Sequence, residues 1–342
     1  MNQPIIYQEA EAAIGEQFWA NTHDGECRFN ISKEVGARLE KDNKEKDPDY
    51  YDHRPGVVHT TSLAKCLRGV ALEMLGAKKD PLDEKAQQAM QRKLGIFKAG
   101  NLFEDFAVDA LGDRVIDRQT EYIYRYKGIT LTGRDDGTFL DDKNERRVLE
   151  NKSVNSESFW YREKEGTLVQ WHNQIQVQTY LWLRRTCGNL YEFRKPHEEE
   201  ISIYSNLSEA EVREFKKLDS TWICTPKLGY ADEVNGYFCY ISKDDCTIIG
   251  TAVKYNPWFV DNIIMPVLDM LAQVYETKDP NITPLPAMVV YNKAKGSFMT
   301  NWLATYCDYH CQCENPNWKK EAAALVARRN KEQAASLAAS IQ

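Results

Sequence analysis

Between Leu131 and Tyr180 the chain reads L-T-G-R-D-D-G-T-F-L, a charged turn, R-V-L-E-N-K-S-V and, further on, Q-W-H-N-Q-I-Q-V-Q-T-Y-L. This stretch restricts the fold more than any other. Thr130 to Leu140 reads as one strand, Asp141 to Glu145 as a polar turn and Arg147 to Val154 as the returning strand of a hairpin. Residues two apart in a strand share a face, so Glu150 and Lys152 point the same way and Asn151 points the other. If the hairpin pairs in simple register, Asp136 projects beside them. Two hard oxygen donors next to a cation make a site for Mg²⁺ or Mn²⁺ and for phosphodiester hydrolysis. The segment after the hairpin is helical, and it sets His172, Gln176 and Tyr180 on one face at i, i+4 and i+8.

Asp136, thirteen intervening residues and then Glu150-Asn151-Lys152 resembles the core of the PD-(D/E)XK nucleases. Gly133-Arg134-Asp135-Asp136-Gly137 resembles the G-x-x-D signature of the RecB-like branch. Gln176-Val177-Gln178-Thr179-Tyr180 resembles the Q-x-x-x-Y helix that follows the lysine strand there. An E-x-K triplet alone is weak in a chain that is 28% charged; the ordered set of three motifs is much stronger. The resemblance implies an α/β, restriction-endonuclease-like core, with a central mixed sheet flanked by helices. It implies that Asp136 and Glu150 hold the metal, that Lys152 orients the attacking water and stabilises charge on the phosphate, and that Gln176 and Tyr180 touch the nucleic-acid backbone or the substrate end. Gly100 to Glu104, G-N-L-F-E, stands where the RecB-like nucleases carry G-x-x-x-H. Glu104 in place of that histidine keeps ligand capacity, since carboxylate oxygen suits Mg²⁺ or Mn²⁺; the alternative is a surface glutamate on an amphipathic helix.

A chain of 342 residues, 42% hydrophobic and 11% aromatic with eight Trp, is long enough for a large core, and we read it as one elaborated domain. It carries no run of about 18 apolar residues that could span a bilayer, and its start lacks the basic-then-apolar pattern of a signal peptide. The expectation is a soluble cytoplasmic protein with no membrane partner, in which the nine cysteines are thiols or ligands and not disulfides. A net charge of −7 argues mildly against a nucleic-acid partner. A local basic groove is compatible with it.

Residues 1–58 read as an N-terminal extension, with a helix from Gln8 to Trp19, a short strand near Cys27 to Ile31, and a charged connector from Glu40 to Arg54. Residues 59–313 form the nuclease-like domain. Thr61 or Ser62 N-caps a helix through Leu75 closed by Gly76, with Cys66 in its first turns. Asp83 to about Leu111 is a second helix, interrupted at Gly95 and Gly100. Tyr122, Tyr124 and Tyr126 alternate as a strand. Ser208 to Lys217 opens with a capping box. Gly236 to Ser242 and Thr247 to Tyr255 are strands, and Trp258 to Tyr275 is a long apolar helix. Residues 314–342 are a helical tail rich in Lys, Arg and Ala, whose charge touches DNA or a partner or is simply solvated.

Cys307, Cys311 and Cys313 fall within seven residues, and Cys66 lies about 240 residues upstream. Thiolates this close suit metal ligation. The arrangement resembles the iron-sulfur RecB-like nucleases, among them the CRISPR-associated exonucleases and AddB-type nuclease domains. In these, one cysteine before the catalytic motifs and three after them hold a 4Fe-4S cluster that staples a helical subdomain. The spacing departs from that pattern, with Ala304 where the first of the three would stand and Cys311 as its substitute. With His310 as another ligand, a Zn²⁺ site and unligated thiols remain alternatives.

The implied function is a metal-dependent DNA exonuclease acting on single-stranded or free-ended DNA. Its protein partners would come from recombination, repair, phage replication or CRISPR adaptation. The competing readings are a catalytically silent nucleic-acid-binding scaffold of the same fold and an iron-sulfur or zinc redox protein.

Overall fold

The structure is a computed structural model that describes residues 54–80, 99–164, 166, 168–187, 190–196, 202–227, 234–286, 288–292, 297–301, 303, 307–309, 313 and 318–341. The expected elements of residues 1–53, most of the helix from Asp83, Gly95 and the candidate ligands Cys311 and His310 lie outside the described residues.

Among the described residues the strands form two large sheets and a hairpin. The six-stranded sheet contains β1 (Val57–His59), β3 (Glu121–Tyr126), β4 (Ile129–Arg134), β7 (Tyr191–Arg194), β8 (Ser202–Ser205) and β9 (Ile223–Pro226), in the order β1-β4-β3-β8-β7-β9. The five-stranded sheet has β2 (Val115–Arg118), β5 (Gly137–Leu140), β6 (Arg146–Val154), β10 (Asn235–Ser242) and β11 (Ile248–Val253), in the order β11-β10-β6-β5-β2. Both sheets are mixed: β1/β4, β3/β8 and β6/β10 run parallel, and the other pairs antiparallel.

The strand expected from Thr130 to Leu140 is two strands in two sheets. β2–β3 and β4–β5 are the arms of one long ribbon that kinks where Gln119-Thr120 faces Asp135-Asp136. Two backbone bonds cross the kink, Gln119 N–H to Asp136 O at 3.4 Å and Asp135 N–H to Thr120 O at 3.1 Å, and Gln119 takes φ +49°. The Asp135 carboxylate accepts from Thr120 N–H at 3.1 Å. A side chain that bonds the opposite backbone competes with the ladder, and the ribbon changes sheets there. The turn from Asp141 to Glu145 forms as expected. Asp141 Oδ1 accepts from the N–H groups of Lys143 and Glu145 at 2.8 and 2.9 Å, and Arg147 Nε donates to Oδ2 at 2.8 Å.

The helices are α1 (Leu67–Met74), α2 (99–111), α3 (Ser156–Lys164), α4 (Trp171–Cys187), α5 (Glu209–Lys216), α6 and α7 (Trp318–Ile341). α6 is composite, made of Pro257–Phe259, a π-helical Val260–Ile264 and Met265–Thr277. α1 starts later than expected: Thr60–Ser62 make a single 3-10 turn directly after β1, and Cys66 is the N-cap residue. Its end is as read. Gly76, at φ +77°, lets Ala77 N–H reach Leu72 O and Gly76 N–H reach Glu73 O, both at 2.9 Å, a Schellman closure. Gly100 does not interrupt α2 within 99–111. The expected Ser208 capping box of α5 is complete.

α4 lies against β3 and β8 of one sheet and β6 and β10 of the other. It is therefore buried on most sides, polar residues included, and those residues bond inward: Gln178 spans Lys254 O and Asn256 N–H at 2.9 and 2.8 Å. The main apolar core joins α4 to α1, α6 and both sheets. The tail helix α7 is docked and not merely solvated. It packs on a hairpin that the sequence reading missed, β12 (Val289–Asn292) and β13 (Ser297–Thr300), and the Asn330 amide accepts from Phe298 N–H at 2.6 Å and donates to Phe298 O at 3.1 Å. Among the described residues no helix is long and apolar enough to cross a membrane.

Candidate active site

The kink places a cleft of about 480 Å³ where the two sheets part. Its walls include Glu104, Asp136, Glu150, Lys152, Gln176 and Tyr180, all six residues singled out around the E-x-K strand. In β6, Glu150 and Lys152 share the inward face, and Lys152 Nζ bonds Glu150 Oε1. Register does the rest. Gly137 stands opposite Leu149, so Asp136 falls beside Glu150, and its Oδ2 accepts from Asn151 N–H at 2.5 Å.

Behind the lysine runs a chain of hydrogen bonds. Lys152 Nζ donates to Gln176 Oε1 at 3.1 Å, Gln176 Nε2 donates to Tyr180 Oη at 3.1 Å, and Thr60 Oγ1 donates to Tyr180 Oη at 3.2 Å. Tyr180 is 1% exposed. Gln176, half-buried on the cleft wall, bonds Lys152, and Tyr180 lies behind it on the same wall. Gly133 makes this closeness possible, because a Cβ there would stand 2.3 Å from Thr60 Cγ2 and 2.9 Å from Tyr180 Cε1.

Glu104 enters from α2 and accepts from Gln119 Nε2 at 2.8 Å, so the residue with positive φ at the kink also holds the third carboxylate. The sequence reading overlooked Gln119 and Thr60. It also overlooked Arg184, though Gln176, Tyr180 and Arg184 continue the i, i+4, i+8 face on which the helix was recognised. Arg184, 1% exposed, donates to Asp117 Oδ2 at 3.0 Å and to Thr138 Oγ1 at 2.5 Å, and lies 3.6 Å from Asp135 Oδ2. Tyr122 Oη donates to that same Asp135 oxygen. Of the two adjacent aspartates, Asp135 is thus tied into the core and Asp136 faces the cleft.

The carboxylates are crowded and dry. Burial, with the charge of Asp136 nearby, raises Glu104 to about 8. Burial also raises Glu150 to about 8 despite Lys152, and raises Asp136 against the pull of Lys152 and the Asn151 amide. Lys152 is itself pulled down by burial, but Glu150 and Asp136 more than reverse this and hold it protonated. His172 stays neutral, lowered to about 4 by burial and by the charges of Lys152 and Arg162.

A divalent cation fits this donor set. Glu150 Oε2 is buried without a hydrogen-bond partner, and three carboxylates whose negative forms are penalised share its cleft. Among the described residues no three His, Cys, Asp or Glu are grouped closely enough to count as a ligand set; Lys152, Asn151 and Gln119 each engage one of the three carboxylates. The titrations have a sign that can be checked. Between the ordinary 4.5 and about 8, the unfolded chain has released protons that folded Glu104 and Glu150 still hold, so the contribution of these two groups to metal-free stability is fully present below 4.5 and is lost as pH rises through about 8. The melting temperature in EDTA is expected to decline across that window, with a shallower slope in Glu104→Gln, and Mg²⁺ or Mn²⁺ is expected to restore it most at the alkaline end. A slope identical in the variant would detach Glu104 from this site.

The distant cysteines also meet. Cys307 donates a hydrogen bond to Cys66, which lowers Cys66 to about 7, and Cys313 is raised by burial and by the charge of Cys66. A Cβ on Gly69 would lie 3.0 Å from Cys307 Sγ. The N-terminus of α1 therefore meets the chain at Cys307. Cys187 and Cys239 are buried elsewhere.

No family model matches the sequence, and no curated protein matches it. Among solved structures, the chain is similar to the crystal structure of SSO0001, at 15% identity and a TM-score of 0.36 over 82% of this chain and 93% of that one.

Proposed function

We propose that this protein is a metal-dependent deoxyribonuclease of the PD-(D/E)XK, RecB-like type, acting as an exonuclease on single-stranded or free-ended DNA. The observation that carries the reading is the partnerless, buried Oε2 of Glu150 beside Lys152, in a cleft that Asp136 and Glu104 share. Asp136, Glu150 and Glu104 would hold Mg²⁺ or Mn²⁺, which supplies charge stabilisation and a more acidic water. Lys152 brings its ammonium group to the phosphate and holds it there through Gln176, so the charge is oriented before substrate arrives. The closed wall of Tyr180, Thr60 and Gly133 excludes water behind it. End-labelled single- and double-stranded DNA, incubated with Mg²⁺, Mn²⁺ or EDTA, tests the reading. Metal-dependent shortening from an end supports it, and intact DNA under every condition removes it.

The second part of the proposal is that Cys66, Cys307, Cys311 and Cys313 hold a 4Fe-4S cluster, with Zn²⁺ as the alternative occupant. Protein purified anaerobically is then brown, with about four irons per chain. Cys66→Ser is expected to lose iron and to melt lower, as Cys313→Ser does and Cys187→Ser does not, because the ligand set closes a loop of about 240 residues. Colourless protein with one zinc per chain selects the alternative; iron and melting temperature unchanged in Cys66→Ser would remove the staple.

A further inference from the structure

The lip of the same cleft carries two cations. Arg134 and Lys216 both line it, the first from β4 and the second from the last turn of α5. Both bond one carboxylate: Lys216 Nζ reaches Glu121 Oε1 at 2.7 Å, and Arg134 Nη2 lies 3.6 Å from Glu121 Oε2. The lip is half open, with the side chains of Arg134 and Lys216 33% and 28% exposed and that of Glu121 12%. The acid is thus set beneath its cations, and both donors are turned partly to the cleft.

Resting on the nuclease reading, we infer that Arg134 and Lys216 form a phosphate-binding subsite for the phosphodiester next to the one that is cut. In this subsite Glu121 keeps the two cations parted and poised while no strand is bound. Position supports this. Arg134 closes β4 two residues before Asp136, just ahead of the kink, and both residues line the one cleft. Chemistry supports it as well, since a guanidinium and an ammonium converging from two elements suit a phosphate oxygen pair.

The test uses a fluorescent oligothymidylate, with cleavage followed in Mg²⁺ and binding followed by anisotropy in EDTA. Arg134→Gln and Lys216→Gln are each expected to raise KM about tenfold, with the loss falling in KM more than in kcat. Each should also make the log–log salt dependence of binding shallower by about 0.7. Glu121→Gln should act in the opposite direction and tighten binding, because it frees both cations from their acid. A purely structural role for the trio predicts lowered melting temperatures in all three variants with KM and salt slope unmoved, and that result overturns the subsite while leaving the nuclease reading intact. A chain that neither binds nor cuts the oligonucleotide overturns both.

Discussion

Lys152→Ala is expected to lower kcat for DNA cleavage by about 10²–10³-fold or more, the range for removing one preorganised charge from a transition state, while DNA affinity and fold stay near those of the wild type. The reason lies in what Lys152 touches. Its ammonium bonds Glu150 and Gln176 and packs no apolar core, so alanine removes a charge and not a buried wall. The neighbour it abandons is not left as an unpaired buried anion: burial raises Glu150 to about 8, and losing the pull of Lys152 favours its protonated form further. Stability therefore survives. Turnover by Lys152→Ala, its KM and its circular dichroism decide the matter, and turnover near the wild-type value would end the assignment of Lys152 to catalysis.

Arg184→Leu carries the largest expected cost in stability, about 3–5 kcal/mol, the range for removing one partner of a buried ionic cluster. Arg184 is the cation among Asp117, Asp135 and Tyr122, and both aspartates are almost fully buried. Without it two carboxylates face each other in the core, with Arg194, which bonds Asp117 Oδ1 at 3.1 Å, as the remaining cation on Asp117. Asp135 stands at about 7, raised by burial against the pull of Arg184, and losing that pull raises it further. The penalty should thus shrink toward pH 5, where protonation relieves the pair, and grow toward pH 8. Urea unfolding at the two pH values measures this. A loss below about 1 kcal/mol, or one independent of pH, would mean that the cluster is not what holds the kinked ribbon to α4.

The residues legible in the sequence were those whose neighbours are close along the chain. The i, i+2 face of β6 and the i+4 steps of α4 are short-range geometry, and they identified Glu150, Lys152, Gln176 and Tyr180. Asp136 needed only the length of a turn. The break at Asp135-Asp136 was read through, although Gly133, Asp135, Asp136 and Gly137 are poor strand formers; its cause is a side chain bonding the opposite arm. Arg184 was hidden for a related reason. Arg184-Arg185 near the end of a helix looks like a solvated pair until the buried acids of β2 and the kink are seen against it. α1 was started too early because Thr61 and Ser62 are good caps in isolation, whereas here Thr60 and Ser62 are buried in a 3-10 turn. The hairpin under α7 has strands of only four residues each, too short for a period of two to stand out.

The parallel pairings set an order of events during synthesis. β1 joins β4, β3 joins β8 and β6 joins β10 across separations of roughly 70 to 90 residues, and contacts of that span close slowly. A chain emerging from the ribosome presents every cleft residue from Glu104 to Tyr180 while β6 still has a bare edge, because β10 has yet to be made. The strand bearing Glu150 and Lys152 gains its second neighbour only once synthesis has passed Ser242. A nascent or truncated chain therefore carries the cleft residues without their geometry, and the assembled cleft arrives as one of the last acts of folding.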